Sequence, residues 1–451
     1  MSSSQMRQTR DMTSGDVLQN ILVFAIPLFI SNFFQQCYNI CDTMIASHNL
    51  GQNALAAIGL TGTIVSLVIG FANGMNRGFS MLIARAFGAR NHEEMKTVIA
   101  GTVLLNLCIA AVFTVLALLF TEPVLKLMRT PDEIYPEALE YTRIVLGGVA
   151  ATLFYNMLAG LLQAVGNSRV PLYFLVFSCA INIMMDLIFV KVFHIGVAGI
   201  ALATVLAQAI SGFLCLLHIS KNYRFLLPGR EHFSYDRRLI AELLSTGFSM
   251  GLMNSIFSIG SVILQGAINS LGTAIIAAHT AARRVVMIAN MPLASISGAN
   301  ATFASQNYGA GNMGRIREGI RKSFLLSFIW AAAFGLILLL FAEDIIYALV
   351  GSRDEVIMEN ALMNLRINMV FFFPLGMLLT LRTSLQGIGH KILPLISSSF
   401  ELIFKIIAAF LLVPKWGYFG ASIAEPLTWL ICMIFMLVSF IKVMKKENVK
   451  I

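Results

Sequence analysis

The sequence predicts an all-α integral membrane protein in which twelve transmembrane helices form two pseudo-symmetric six-helix bundles. An apolar composition is the first of three observations behind this prediction. Of the 451 residues, 57% are hydrophobic and only 12% are charged, whereas a soluble domain carries about 25% charged residues. Because so few charges cannot cover a water-facing surface, the composition excludes a soluble enzyme, a nucleic-acid binder and a disordered protein.

Long apolar runs are the second observation. Runs of about 18 residues or more, which span a bilayer as helices, recur along the whole chain, and they lack the short alternating strands of a membrane barrel. Six runs fall in the first half, at 17–45, 52–86, 93–121, 138–164, 169–193 and 196–221. Six more fall in the second half, at 239–270, 273–307, 316–342, 356–387, 391–413 and 418–442.

A charged segment from Lys221 to Asp236, containing Pro228 and Gly229, separates the two halves and is predicted to be a linker. The expected organisation is therefore a cytoplasmic N-terminal tail, an N-lobe, a cytoplasmic linker, a C-lobe and a cytoplasmic C-terminal tail. Their expected boundaries are 1–16, 17–221, 222–238, 239–445 and 446–451.

An internal repeat is the third observation. Leu50-Gly51 and Gly88-Ala89-Arg90-Asn91 return in the second half, at one constant offset in numbering, as Leu271-Gly272 and Gly309-Ala310-Gly311-Asn312. Gln163 and Gly166 return at nearly the same offset as Gln386 and Gly389, and Gly196 and Gly199 return as Gly417 and Gly420. Because six spans are an even number, both halves start on the same side of the membrane. Parallel repeats of this kind are typical of alternating-access transporters, although a channel stays open as an alternative.

Basic residues indicate the orientation. With the N-terminus in the cytoplasm, most Lys and Arg fall in inner segments, and the outer segments hold only Lys126, Arg129, Lys191, Arg353 and Lys415. We therefore expect both termini inside, in the plasma or inner membrane, and interpret the net charge of +9 as an orientation signal and a contact with anionic lipid headgroups. The six cysteines lie in apolar segments without metal-ligand spacing and are predicted to be packing thiols.

Two carboxylates lie deep in the first half. Asp42 ends a polar stripe on the first span that includes Ser31, Gln35 and either Tyr38 or Asn39, while Asn182 precedes Asp186 by one turn on the fifth span. Asp42 and Asp186, together with Tyr141 and Thr204, fall in the outer half of their spans. Because carboxylate, amide and hydroxyl oxygens suit either Na⁺ or a shared proton, we expect a cation or proton site here. A satisfied hydrogen-bond network is the structural alternative.

The second half carries a different polar cluster, formed by Glu401, Lys405 and Glu425. Glu401 and Lys405 are spaced i, i+4 and can pair directly. By the repeat offsets Lys405 corresponds to Asn182, and Glu425 corresponds to Thr204. We expect a pseudo-symmetric, internally neutralised structural cluster, with a role in transport as the alternative.

Several motifs resemble the multidrug and toxic compound extrusion (MATE) family, in particular its bacterial DinF-type branch. They are Tyr38-Asn39-Ile40-Cys41-Asp42-Thr43, Gly88-Ala89-Arg90-Asn91, Gln163-Ala164-Val165-Gly166-Asn167 and Asn182-Ile183-Met184-Met185-Asp186. The resemblance implies two bundles arranged as a V and export of organic compounds in exchange for H⁺ or Na⁺. It also implies a cation site at Asp42, Asn182, Asp186 and Thr204, with Gln35 and Tyr141 nearby, and a bending proline at Pro27. The acidic residues that bind the cation on the seventh and tenth helices of the related Na⁺-coupled branch are missing from this sequence.

The expected function is that of a secondary antiporter for amphipathic, cationic organic compounds, and not that of an enzyme. We expect no cofactor beyond the coupling ion, no metal site apart from Na⁺ at Asp42, Asn182, Asp186 and Thr204, no nucleic-acid partner, and function as a monomer in membrane lipid. A flippase for lipid-linked sugars is the main alternative, for which the first half offers only Arg77 and Arg143 as mid-chain cations. An intramembrane aspartyl protease is disfavoured because the sequence has no Gly-x-Gly-Asp motif.

Overall fold

The computed structural model describes residues 9–233 and 236–449, which form thirteen α-helices and contain no β-strand. In the first half the helices are α1 (Val17–Leu50), α2 (Gln52–Gly88), α3 (His92–Leu127), α4 (Tyr135–Gly147), α5 (Val149–Ala164), α6 (Arg169–Leu187) and α7 (Val197–Asn222). In the second half they are α8 (Arg237–Asn269), α9 (Thr273–Gly309), α10 (Met313–Val350), α11 (Glu355–Gly387), α12 (Ile392–Ile407) and α13 (Val413–Val449). The all-α prediction is confirmed.

Each of the twelve predicted spans coincides with helical structure. The fourth span consists of α4 and α5, which meet at Gly148 with a bend of 41°. In the described part of the chain, nine helices are long and apolar enough to cross a membrane, or ten when this bent pair counts as one span. Among the nine, α12 and α13 form one continuous segment, Ile392–Glu447, and α9 is not included because its sequence is rich in small and polar residues.

The internal repeat is visible in the backbone. A π-helical turn follows α6 at Ile188–Val192, and another follows α12 at Ala408–Leu412. Left-handed residues also recur in pairs, at φ 89° and 98° for Gly51 and Gly272, and at 73° and 58° for Gly196 and Gly417. A positive φ is costly for residues with a Cβ. These glycines therefore allow the turns before α2, α7 and α9 and, at Gly417, a kink inside α13 at the place that corresponds to Gly196.

The described chain divides into two compact units. Unit 1 contains the described residues up to Asp11 together with Ile30–Asn254, and unit 2 contains Met12–Phe29 together with the described residues from Ser255 onward. The divisions therefore fall inside α1 and α8, at corresponding places in the repeat. The predicted lobe boundaries, 17–221 and 239–445, stay predictions.

Unit 1 includes a very close approach of α2 and the first part of α8. A Cβ on Gly74 would lie 2.6 Å from the Met250 carbonyl oxygen, and one on Gly251 would lie 2.8 Å from the Phe71 carbonyl oxygen. The facing helix also restricts Gly78 and Gly247, because a Cβ on Gly78 would lie 3.0 Å from its nearest neighbour and one on Gly247 would lie 2.6 Å from its nearest neighbour. Two Gly-x-x-x-Gly motifs thus bring the helices together, as small residues do in membrane bundles.

Unit 2 holds an N-terminal arm, which we define as Met12–Asp16. Gln306 accepts a hydrogen bond from the Met12 backbone N–H at 3.0 Å, and the Asn307 amide donates to the Met12 carbonyl at 3.1 Å. The Arg315 guanidinium donates to the carbonyl oxygens of Met12, Ser14 and Gly15 at 3.0–3.2 Å. These bonds anchor the segment that enters α1.

Candidate functional site

The carboxyl groups of Asp42 and Asp186 lie close enough to interact with each other in unit 1. Asp42 is in the second part of α1, whereas Asp186 is in the last turn of α6 and is completely buried. The two residues are far apart in the sequence, and the packing of α1 against α6 brings them together. The carboxylate pair predicted from helix depth is therefore present in the structure.

Several polar atoms of this pair and of the neighbouring Asn182 have no hydrogen-bond partner within the described part of the chain. Among the residues that the structure describes, no hydrogen-bond partner is found for Asp42 Oδ1, for either Asp186 oxygen or for either side-chain amide atom of Asn182. Asn182 is also completely buried. Since buried polar groups in proteins are nearly always hydrogen-bonded, a cluster with this many unpaired oxygens is suited to bind a proton or a small cation.

Two tyrosines and a threonine line the pair. The Tyr38 hydroxyl donates a hydrogen bond to Thr204 Oγ1 at 3.0 Å and is close enough to interact with Asp42. Tyr141 on α4 is close enough to interact electrostatically with both carboxylates. The structure thus brings Asp42, Asn182, Asp186, Thr204 and Tyr141 to one place, and their role as a cation or proton site stays a prediction.

Tyr38 and Ser178 belong to this place but were not predicted as site residues. The stripe on α1 allowed either Tyr38 or Asn39, and the structure buries Tyr38 and exposes Asn39. The buried Ser178 hydroxyl has no hydrogen-bond partner among the described residues, and it lies one turn before Asn182 on α6. Its signal was present in the sequence, because Ser178, Asn182 and Asp186 are spaced by four residues and share one helical face.

Gln35 and Pro27 lie further along α1. Gln35 is half-buried two turns before Asp42, and no hydrogen bond among the described residues links it to the carboxylates. Pro27 is inside the helix, and the boundary between the compact units follows two residues later, after Phe29. Because proline removes a backbone hydrogen bond and can kink a helix, this part of α1 is the most easily bent.

The predicted cluster of the second half is a longer chain of ion pairs. Lys405 Nζ lies 3.0 Å from Glu425 Oε1 and 3.6 Å from Glu401 Oε1. Two arginines that the sequence did not assign complete it, because Arg382 lies 3.0 Å from Glu401 Oε2 and Arg283 lies 3.5 Å from Glu425 Oε2. The expected pairing within the cluster is present, but the cluster carries three cations and two carboxylates.

No cluster of three or more His, Cys, Asp or Glu side chains suited to a metal ion is found in the described ranges.

The two arginines that could bind a pyrophosphate in the flippase alternative, Arg77 and Arg143, have different surroundings in the structure. Arg143 lies 3.3 Å from Glu122, a carboxylate that it shares with Lys126 at 2.8 Å, whereas Arg77 is exposed on α2.

A family model named MatE matches the chain twice, over residues 27–188 and 250–411. The chain belongs to the MatE family. The double match also reproduces the repeat, since its two ranges are related by the same offset as Gln163 and Gln386. As a member of this family, the MatE protein is a transporter and not an enzyme. The MATE resemblance of the sequence motifs is confirmed.

Curated relatives and solved structures agree with the family. This MatE protein is similar to the probable multidrug resistance protein YoeA of Bacillus subtilis, with 24% identity over 87% of this chain and 86% of YoeA. It is 28% identical to the probable multidrug resistance protein YpnP of the same organism, over 68% of each chain. A crystal structure of MATE in the bent conformation has a TM-score of 0.91 and 24% identity, covering 100% of this chain and 99% of the other.

Proposed function

We propose that this MatE protein is a secondary antiporter that exports amphipathic, cationic organic compounds in exchange for H⁺ or Na⁺ by alternating access. The observation that carries the proposal is the pair of the half-buried Asp42 and the completely buried Asp186, with the unpaired amide of Asn182 beside it. The names of the multidrug resistance relatives support the substrate class.

The carboxylate pair can couple an ion to transport because its charge must be compensated. Two ionised carboxylates inside a membrane protein are unstable without a proton or a cation between them. Asn182, Thr204 and Tyr38 add the neutral oxygens that complete the shell of a small cation, and the same oxygens accept a hydrogen bond from a protonated carboxyl. Occupation of the pair removes its repulsion, and this change is the one that the coupling ion supplies.

The response to that ion passes through α1. Asp42 lies in the part of α1 that belongs to unit 1, and Pro27 lies in the part that belongs to unit 2. A change in the charge at Asp42 therefore acts on a helix that can bend near Pro27. We propose that this bend changes access to the substrate.

The driving force is sufficient for export. A membrane potential of 100 mV is worth about 2.3 kcal/mol per charge, and one pH unit adds about 1.4 kcal/mol. Together they support a substrate gradient of several hundredfold for one proton exchanged against a neutral solute. One proton exchanged against a monovalent cation moves no net charge, so the pH gradient alone drives that exchange and supports about a tenfold gradient per pH unit.

The test is transport of a fluorescent cationic dye by proteoliposomes under an imposed pH gradient and, separately, a Na⁺ gradient. We expect dye movement to follow one gradient and to fall to the level of empty liposomes in Asp42→Asn and in Asp186→Asn. Glu140→Gln is the matched control, because Glu140 is an exposed carboxylate on α4, and it should transport like the wild type. Normal transport by both aspartate variants would refute the coupling assignment.

We also propose where the protein lies in the cell, how it is oriented in the membrane and in what state it works. We place the protein in the plasma or inner membrane with both termini in the cytoplasm, as the distribution of basic residues indicates. The protein works as a monomer in contact with lipid, without a cofactor beyond the coupling ion, and belongs to the DinF-type branch. The alternative of a flippase for lipid-linked sugars is less well supported, because the first half offers only Arg77 and Arg143 as mid-chain cations for a pyrophosphate, and Arg143 is ion-paired with Glu122.

A further inference from the structure

Lys405 is a completely buried lysine that is surrounded by ligands typical of a cation. Its ammonium lies 3.0 Å from Glu425 Oε1, 3.2 Å from Ser261 Oγ and 3.6 Å from Glu401 Oε1. It also lies 4.2 Å from the centre of the Phe257 ring, which adds a cation–π contact. The Glu425 contact lacks hydrogen-bond geometry, so it is an ion pair only.

The position of this ammonium corresponds to the carboxylate site of the first half. The offset between the two family matches, which relates α1 to α8 and α6 to α12, pairs Tyr38 with Ser261 and Asn182 with Lys405. The offset between Gly196 and Gly417, which relates α7 to α13, pairs Thr204 with Glu425. In each unit the same three helices of the repeat meet at one place. In unit 1 they present unpaired oxygens and an amide, and in unit 2 they hold an ammonium.

We propose that the Lys405 ammonium is a tethered cation, which permanently occupies the place where the first half binds an exchangeable one. The comparison with the first half rests on the proposed function, whereas the cation cage around Lys405 stands on its own contacts. As a consequence, the protein has a single exchangeable cation site. The second half contributes a fixed charge and takes no coupling ion.

The ion pairs around the cage explain why the ammonium is held in place. Glu401 turns Oε2 toward Arg382 and Oε1 toward Lys405, and Glu425 divides its oxygens in the same way between Arg283 and Lys405. Arg382 is fixed further by Ser397, whose hydroxyl accepts hydrogen bonds at 2.9 Å and 3.1 Å. If Lys405 were shortened, each glutamate would keep its arginine, and the two Oε1 atoms would face the place of the lost ammonium.

Gly260 gives independent evidence that the cage is shaped around the lysine. A Cβ on Gly260 would lie 2.8 Å from Lys405 Cδ, and its next neighbour would be Leu402 at 3.4 Å. The backbone conformation of Gly260 is helical and does not itself require glycine. The absence of a side chain on α8 at this point therefore leaves the path along which the lysine chain reaches Ser261 and Glu425.

The test is restoration of the missing cation by a small amine. Lys405→Ala is made in the full-length protein that also carries Asp42→Asn and Asp186→Asn, so that the first-half pair cannot respond. Thermal unfolding of the detergent-solubilised protein is then measured in methylammonium chloride and in choline chloride at equal ionic strength. We expect methylammonium, which has the size of the lost group, to raise the unfolding midpoint by several degrees in a saturable way. Choline is too large for the cage and should have no such effect.

Two matched variants in the same background complete the design. Lys405→Met fills the space with an apolar chain of similar length and should not respond to methylammonium, and Glu425→Gln added to Lys405→Ala should abolish the response. Equal effects of methylammonium and choline on the alanine variant would overturn the proposal. So would an alanine variant that is as stable as its parent without any added cation.

A second measurement decides the proposal even if the alanine variant does not fold. Saturable binding of Na⁺, or proton release on titration of the site, is measured in the wild type and in the Asp42→Asn, Asp186→Asn double variant. We expect the double variant, with Lys405 intact, to lose all saturable exchange, and residual exchange would overturn the proposal. A wild type without any exchange would refute the proposed function, and the amine experiment would still decide whether the cage is a cation site.

Discussion

Substitution of Gly74 by alanine should destabilise unit 1, because α2 and α8 leave no room for a methyl group at this position. The new Cβ would lie 2.6 Å from the Met250 carbonyl oxygen and 2.7 Å from Gly251 Cα, whereas non-bonded carbon atoms prefer about 3.5–4.0 Å. Both neighbours are backbone atoms, so the helices must separate by about 1 Å to restore that spacing. Overpacking of this kind costs about 1–3 kcal/mol, and it also weakens the neighbouring contact of Gly78 with Gly247.

The matched control is Gly59→Ala on the same helix. Gly59 is exposed and has nothing within 4 Å of the place that the new methyl group would take, so alanine there should be neutral or stabilise α2 by up to about 1 kcal/mol. The assay is the thermal unfolding midpoint of the two purified variants beside the wild type, and we expect Gly74→Ala to unfold several degrees below Gly59→Ala. Equal midpoints for the two variants would show that the close contact of α2 and α8 does not contribute to stability.

Three further predictions concern caps, ion pairs and the N-terminal arm. Asn91→Ala should cost about 1 kcal/mol of stability, because the Asn91 side chain accepts a hydrogen bond from a backbone N–H at the start of α3. Asn312→Ala should cost little, because the Asn312 side chain makes no such bond at the start of α10. Equal midpoints of the two variants in thermal unfolding would contradict this prediction. Arg382→Gln should cost about 3 kcal/mol of stability, because the buried Glu401 carboxylate loses this partner. Adding Glu401→Gln should recover part of that cost, since the carboxylate charge is then removed. A double-mutant cycle with no coupling would refute the pairing. Arg315→Gln should speed limited proteolysis of the arm without changing cleavage elsewhere, and an unchanged rate would show that the other bonds suffice.

The sequence predicted the helices of this protein well, because apolar runs in a membrane protein leave few alternatives. The second span was expected at 52–86, and the structure has α2 at Gln52–Gly88. The break in the fourth span was not predicted. It falls at Gly148, where a Cβ would lie 2.4 Å from Val205, and such a contact depends on the packing of α7 and cannot be inferred from a local pattern.

Part of the candidate site could likewise be predicted from the sequence, and part could not. Helix depth predicted that Asp42 and Asp186 lie at a comparable level, because both carboxylates lie late in spans that run in the same direction. The partner of Glu401 was only half predicted, since Lys405 follows within one turn but Arg382 comes from another helix. Neighbours on one helix can be inferred from spacing, whereas contacts across helices depend on rotation and tilt, which composition does not determine.

Comparison of the two halves shows which features a duplicated membrane fold preserves. Backbone turns recur with their residue type, as at Gly196 and Gly417, because a positive φ tolerates few residues other than glycine. The polar core recurs in position but not in chemistry, as Asn182 and Lys405 show. A buried polar position has no fixed residue type, and its only strict requirement is that its charge and hydrogen bonds are compensated. In the second half two neighbouring carboxylates compensate the charge of Lys405, while in the first half the unpaired oxygens leave the compensation to a ligand. For this reason, the half whose core is not internally compensated is the one suited to bind and release an ion during transport.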